Sequence, residues 1–144
     1  MVTSADTSFL FSLYGNDANT SRATAWLRSH SIPLTLSAFN EYELGNALRF
    51  AEFQGRIAPG DAALFWAEYE ADCATGRIVV HPCNLAEVIA EATRISSGHT
   101  LAAGHRSFDI LHVAAALNMK AKQFLTFDAN QKKLARSEGL KTPL

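Results

Sequence analysis

The chain has 144 residues, 48% of them apolar, with 13 basic and 14 acidic side chains and a formal net charge of -1. That length suits one well-buried core, so a single domain over residues 1–144 is expected, and the charge balance supplies no global positive field for a nucleic acid, leaving contact with phosphates to a local basic patch or bound cations. No apolar run approaches the ~20 residues of a membrane span, and two cysteines, Cys73 and Cys83, without a CxxC pair or a leader-like N-terminus, point to a reduced, cytoplasmic protein.

In chain order, MVTSA predicts a short strand at 1–5. TSFLFSLY begins a helix that the GND at 15–17 interrupts, and ANTSRATAWLRSH (18–30) resumes helical spacing through Ala18, Ala25 and Trp26. IPLTLS (32–37) predicts a strand. AFNEYELGNALRFAEFQ (38–54) reads as a helix capped by Ser37 and stopped at Gly55, and APGDAALFWAEYEADCATG (58–76) as another closed by Gly76. The β-branched RIVVHP (77–82) predicts a strand, and NLAEVIAEATRIS (84–96) a helix. SGHTLAAGHR (97–106), polar and punctuated by glycine, reads as a loop. A helix capped by Ser107 follows in SFDILHVAAAL, then a strand in KQFLTF (122–127), a helix in ANQKKLARSE (129–138) stopped by Gly139, and a short terminal strand in LKTPL. Strands separated by helices imply an α/β fold of three layers, with a central, mostly parallel sheet covered on both faces.

In such a sheet the ligand crevice lies beyond the carboxyl ends of the strands. Asp6 directly follows the first strand and Asp128 the FLTF strand, while Asp109 opens the helix whose preceding loop reaches the same edge. The ordinary reading of Asp109 is an acid in a first helical turn, favoured by the dipole. On the helix after Ser37, Phe39, Glu43, Asn46, Ala47 and Phe50 share a largely apolar stripe, whereas Glu41 aligns with Ser37, Gly45 and Glu52 on a solvent-like side. Glu43 is therefore the unusual acid. Two carboxylates about 5 Å apart at an effective dielectric near 20 repel by about 3 kcal/mol. Four converging acids call for a neutralising partner, and hard oxygens without His or Cys suit Mg²⁺ or Mn²⁺. Such ions activate water for phosphodiester cleavage, so hydrolysis of a nucleic-acid backbone is the expected chemistry.

ADTSFL near the start, FNEYELGNALR after the second strand, SFDILHVAAAL, and FLTFDANQKKLARSEGLK near the end resemble, in order, the four acidic motifs of the PIN domain, and specifically of VapC-like toxin ribonucleases. The resemblance implies a three-layer α/β/α PIN-like fold and a Mg²⁺-dependent endoribonuclease, with Asp6, Glu43, Asp109 and Asp128 as its metal-binding and catalytic acids. It further implies products with 5′-phosphate and 3′-hydroxyl ends, an RNA substrate, a homodimer, and a small antitoxin that occludes the site. At Asn130 relatives often carry a further acid. The alternative is a catalytically inactive PIN-fold module that binds RNA or a protein.

Thr7 and Ser8 are placed to bond a carboxylate or phosphate, Thr126 to hold the Asp128 turn, and Asn46 to orient Glu43; a cap or local turn bond is the ordinary reading of the hydroxyls. His112 shares a helical side with Asp109 and could pair with it, but a satisfied, partly buried histidine, not a general base, is the reading favoured. HPC at 81–83 offers no second ligand pair at zinc spacing, so it reads as a strand end. Leu64, Phe65, Trp66 and Tyr69 read as core or a dimer face. Arg49, Arg56, Arg106, Lys132 and Lys133 are the candidates for guiding phosphates, or simply solvated helix ends. Haloacid dehalogenase, receiver and dinucleotide-binding folds each want a motif after the first strand that DTSFLF lacks.

Overall fold

A computed structural model describes residues 1–144. Strands β1 (Thr3–Ala5), β2 (Leu34–Leu36), β3 (Ile78–Val80) and β4 (Gln123–Leu125) alternate with helices α1 (Thr7–Tyr14) and α2 (Thr20–Ser29), α3 (Ala38–Phe53) and α4 (Asp61–Ala74), α5 (Leu85–Ala103) and α6 (Ser107–Asn118), and finally α7 (Ala129–Ser137). The sheet is wholly parallel in the order β3-β2-β1-β4. The chain thus works outward from β1 through β2 to β3, then returns to place β4 on the other side of β1. The reversal of direction falls between β1 and β4, and there the loops leaving adjacent strands diverge and open a crevice.

The strands are short and buried, and the two-residue alternation of the pleat divides them between two apolar cores. Ala5, Leu34, Leu36, Ile78 and Leu125 join Phe9, Leu44, Leu48 and Tyr69 under α1–α4. Phe124, the residue before Leu125, points the other way and packs with Val88, Ile95, Val113, Ala116 and Leu134 of α5–α7. The run Val113–Ala116 is buried on every side, which lets α6 lie close against the sheet. In α3 the buried face is Asn40, Leu44, Gly45, Leu48 and Ala51. The stripe through Phe39, Glu43 and Phe50 borders it, with Phe50 exposed. Glu41 also departs from the solvent-facing expectation, since the buried Tyr69 donates its hydroxyl to Glu41 Oε2 at 2.9 Å. Gly45 admits α4 closely, for a Cβ there would stand 3.3 Å from the Trp66 ring.

Several boundaries differ from expectation. SGHTLAAGHR is mostly helix, because α5 continues to Ala103 and leaves only Gly104–Arg106 as loop. An interior glycine such as Gly98 costs a helix about 1 kcal/mol. Its neighbours offset this, as His99 and Arg94 both bond Glu138 beyond the end of α7, at 3.0 and 2.6 Å. Gly104, at φ +68°, supplies the left-handed residue that ends the helix. LKTPL forms one bridge, Lys141 to Gln123, and no strand; Pro143 has no N–H with which to extend a ladder. The second helix starts at Thr20, not Ala18, because Asp17 ties the preceding turn through the Asn19 N–H. Arg106, not Ser107, occupies the N-cap position of α6.

Phe124 is fully buried and Phe53 is 84% exposed. Phe124→Ala should cost about 3–5 kcal/mol in urea denaturation, whereas Phe53→Ala should stay within about 0.5 kcal/mol of wild type. Equal costs would contradict this division of the core.

Candidate active site

At the β1/β4 reversal, Ala5 pairs in register with Leu125, and the Asp6 N–H extends the ladder to Leu125 O at 3.1 Å. The next residues on the two strands, Asp6 and Thr126, must therefore be neighbours. The Thr126 hydroxyl donates to Asp6 Oδ2. Asp6 Oδ1 accepts from Ser8 Oγ at 2.7 Å and from the Phe9 N–H at 2.9 Å, which makes Asp6 the N-cap of α1. Thr126 Oγ1 also accepts the Asp128 N–H at 3.0 Å, while Asp128 caps α7 by accepting the Gln131 N–H at 2.7 Å. A single threonine hydroxyl thus couples the Asp6 carboxylate to the Asp128 turn.

These acids share one trough. It encloses about 430 Å³ and is lined by Asp6, Glu43, Asp109 and Asp128, with Thr7 and Ser8 among the fourteen contributing residues. Three of the fourteen are hydrophobic, so the trough suits a polar, hydrated ligand better than an apolar one. A fifth carboxylate, Asp17, also lines it, held by Ser12 Oγ at 2.8 Å. Of the five basic candidates, Arg56 and Arg106 reach the trough. Arg49 lies over Trp66 instead.

Glu43 is positioned from beneath by a buried polar relay. Asn40 Oδ1 accepts the Ser37 N–H at 3.1 Å, and its Nδ2 donates to Ala5 O at 3.0 Å, so two backbone groups orient the amide. The same Nδ2 lies 3.2 Å from His112 Nδ1, which must accept, and the ring proton therefore sits on Nε2. From there it is shared between Thr7 Oγ1 at 3.1 Å and Glu43 Oε1 at 3.2 Å. His112 thus pairs with Glu43 and Thr7 rather than with Asp109. Asn46 is exposed and lies outside the trough, where Ala47 of the same turn lines it instead, so Asn46 does not orient Glu43. Asp109 meets Arg106, whose Nε donates to Oδ2 at 3.1 Å, and its backbone carbonyl accepts Gln131 Nε2 at 2.8 Å.

Two of the acids are driven in opposite directions. Burial raises the Asp6 carboxyl above its ordinary value, and the bonds from Thr126, Phe9 and Ser8 only partly offset it. For Glu43, half-burial again opposes ionisation, but hydrogen bonds from His112 and Thr7 and the charge of Arg106 outweigh it and hold the carboxyl below the usual value. The donor set is hard oxygen throughout, the chemistry that Mg²⁺ or Mn²⁺ prefers. As the side chains stand, no three His, Cys, Asp or Glu groups are gathered closely enough to enclose an ion.

The sequence matches the PIN domain over residues 5–137. The chain belongs to the PIN domain family. Among solved structures, FitAcB from Neisseria gonorrhoeae is similar at 20% identity and a TM-score of 0.69, covering 98% of this chain and 96% of that one. VapBC2 from Rickettsia felis, bound to a DNA fragment from their promoter, is similar at 11% identity and 0.68, covering 99% and 97%. A toxin–antitoxin complex from Klebsiella pneumoniae follows at 13% identity and 0.63, covering 99% and 98%. No curated protein matches in sequence. No helix of this PIN domain is long and apolar enough to cross a membrane.

Two residues of this PIN site, Asn40 and Asp17, lay outside the sequence reading. Asn40 sits three residues after Ser37, a capping-box spacing that announced a local bond but not the His112 contact across 72 residues. Asp17 looked like part of a turn, which it also is. Asn130 donates to Ala103 O at 3.1 Å and lies 3.3 Å from His105 Nδ1, tying α7 to the loop before α6.

Because the folded-state value of Asp6 lies above the unfolded one, the folded chain holds its proton more tightly, and stability falls as pH rises through that window. Asp6→Asn cannot ionise. In EDTA its melting temperature relative to wild type should therefore be more favourable at pH 7.5 than at pH 4. A difference that stays constant or reverses would remove the desolvation account of Asp6.

Proposed function

We propose that this PIN domain is a metal-dependent endoribonuclease of the VapC type, hydrolysing RNA phosphodiester bonds as the toxin of a toxin–antitoxin pair. The observation that carries the reading is the convergence of Asp6, Glu43, Asp109 and Asp128 on one polar trough at the sheet's reversal point. Membership of the PIN family and the toxin–antitoxin assemblies among its structural neighbours support it.

In this reading Asp6 and Asp109 are the chief holders of Mg²⁺ or Mn²⁺, with Glu43 and Asp128 completing or tuning the site. Such an ion, when bound, activates a water for in-line attack and offsets charge at the leaving oxygen. The protein's own groups do the rest. Thr126 and Ser8 keep the Asp6 carboxylate aimed, so that little reorganisation is needed at the moment of reaction. The relay from Asn40 through His112 keeps Glu43 ionised and fixed. Arg56 and Arg106 bring positive charge to the rim of an otherwise acidic trough, where backbone phosphates would pass. The resemblance to VapC-like ribonucleases implies that water displaces the 3′-oxygen, leaving 5′-phosphate and 3′-hydroxyl ends. A homodimer and a small antitoxin presenting a basic group to the acids complete the proposal, together with a cytoplasmic site of action.

Millimolar Mn²⁺ should raise the wild-type melting temperature by roughly 4 °C and leave Asp6→Asn unmoved. Asp109→Asn should lower RNA cleavage at least about 100-fold while remaining folded. A folded wild type that neither responds to metal nor cuts RNA would leave a binding module as the better reading, and an active Asp109→Asn would sink the acid assignment.

A further inference from the structure

Arg106 is the one arginine or lysine side chain that hydrogen-bonds a trough acid. Its guanidinium reaches Asp109 through Nε alone, at 3.1 Å, and no second hydrogen bond to the protein holds it. The side chain is 83% exposed, against 28% for Asp109. Its root, in contrast, is fixed: Gly104 ends α5, and Asn130 of α7 bonds the Ala103 carbonyl and meets His105. A long, flexible, permanently charged arm is thus anchored at the head of α6 and rests on one carboxylate with most of its donors free. Asp128 and Glu43 add their attraction to that of Asp109. Arg56, the other arginine of the trough, is engaged elsewhere, with Nε on Gln54 at 2.8 Å and its guanidinium 5.7 Å from the Phe11 ring.

We propose that Arg106 is a built-in counter-cation that competes with the divalent metal for Asp109, so that loading the site requires this arm to swing off the carboxylate. The proposal rests on the reading of the trough as a metal site, and adds a resident latch to it. An exposed pair of this kind is weak, so the latch tunes metal affinity without abolishing it.

The test is a Mn²⁺ titration, followed by the paramagnetic resonance of the free ion, on the full chain and on Arg106→Gln, Arg106→Lys and Arg56→Gln. All three replacements are at exposed positions, so folding is not at stake. Arg106→Gln should bind Mn²⁺ about two- to fivefold more tightly than wild type, Arg106→Lys should remain close to wild type, and Arg56→Gln should gain distinctly less than Arg106→Gln. If wild type binds Mn²⁺ and Arg106→Gln binds it equally or more weakly, the latch is overturned while the metal site stands. If Arg56→Gln gains as much as Arg106→Gln, the effect is that of the general field and the pairing is again overturned. If no variant binds Mn²⁺ though all are folded, the metal-site reading fails, and the latch with it.

Discussion

The site depends on one piece of register: Ala5 opposite Leu125 in adjacent parallel strands. Because β1 and β4 end level, the first residues beyond them, Asp6 and Thr126, are forced into contact, and the Asp6 N–H closes the ladder on Leu125 O. A slip of one residue would turn every side chain of β4 to the opposite face. It would carry Phe124 out of its core and Thr126 away from Asp6 together. Packing and the functional rim are thus set by the same choice.

The second constraint is electrostatic. Five carboxylates line a trough that offers two arginines in return, and the molecule manages the surplus differently at each position. Asp6 is buried and lifted toward its protonated form, although three donors surround it. Glu43 is kept charged by donors from below. Asp109 leans on Arg106, and Asp128 and Asp17 each have one oxygen occupied by a neighbouring backbone N–H. Each acid therefore has a local structural use as well as a place at the rim. An acid that caps a helix and faces a crevice is tolerated in the folded chain without any ligand, and it is also ready for one.

Beneath the rim, the relay from Ser37 through Asn40 and His112 to Glu43 joins α3, α6 and the end of β1 in a buried polar network whose members satisfy one another. Satisfaction matters because an unpaired buried amide or imidazole would cost about 1–3 kcal/mol. The network ties α3 to α6 just below the acids each helix contributes, so Glu43 and Asp109 are held by parts of the core that cannot move independently.

Much of this was legible along the chain. The alternation of β-branched runs with helical spacing, the glycine and serine punctuation, and acids placed directly after strands are local signals, because backbone geometry and helix capping act over three or four residues. They suffice for a parallel α/β sheet and for Asp6, Asp109 and Asp128 at one edge. What only the tertiary structure decided are the contacts between distant segments and the competitions among local preferences. Asn40 meets His112 only because α3 and α6 pack on the end of β1. Asn46 shares a stripe with Glu43 yet lies outside the trough. Gly98 stays helical because His99 and Arg94 find Glu138 on another element. A sequence states which residues can form a turn, a cap or a stripe; which of several such options wins depends on burial and partners that exist only once the chain has folded.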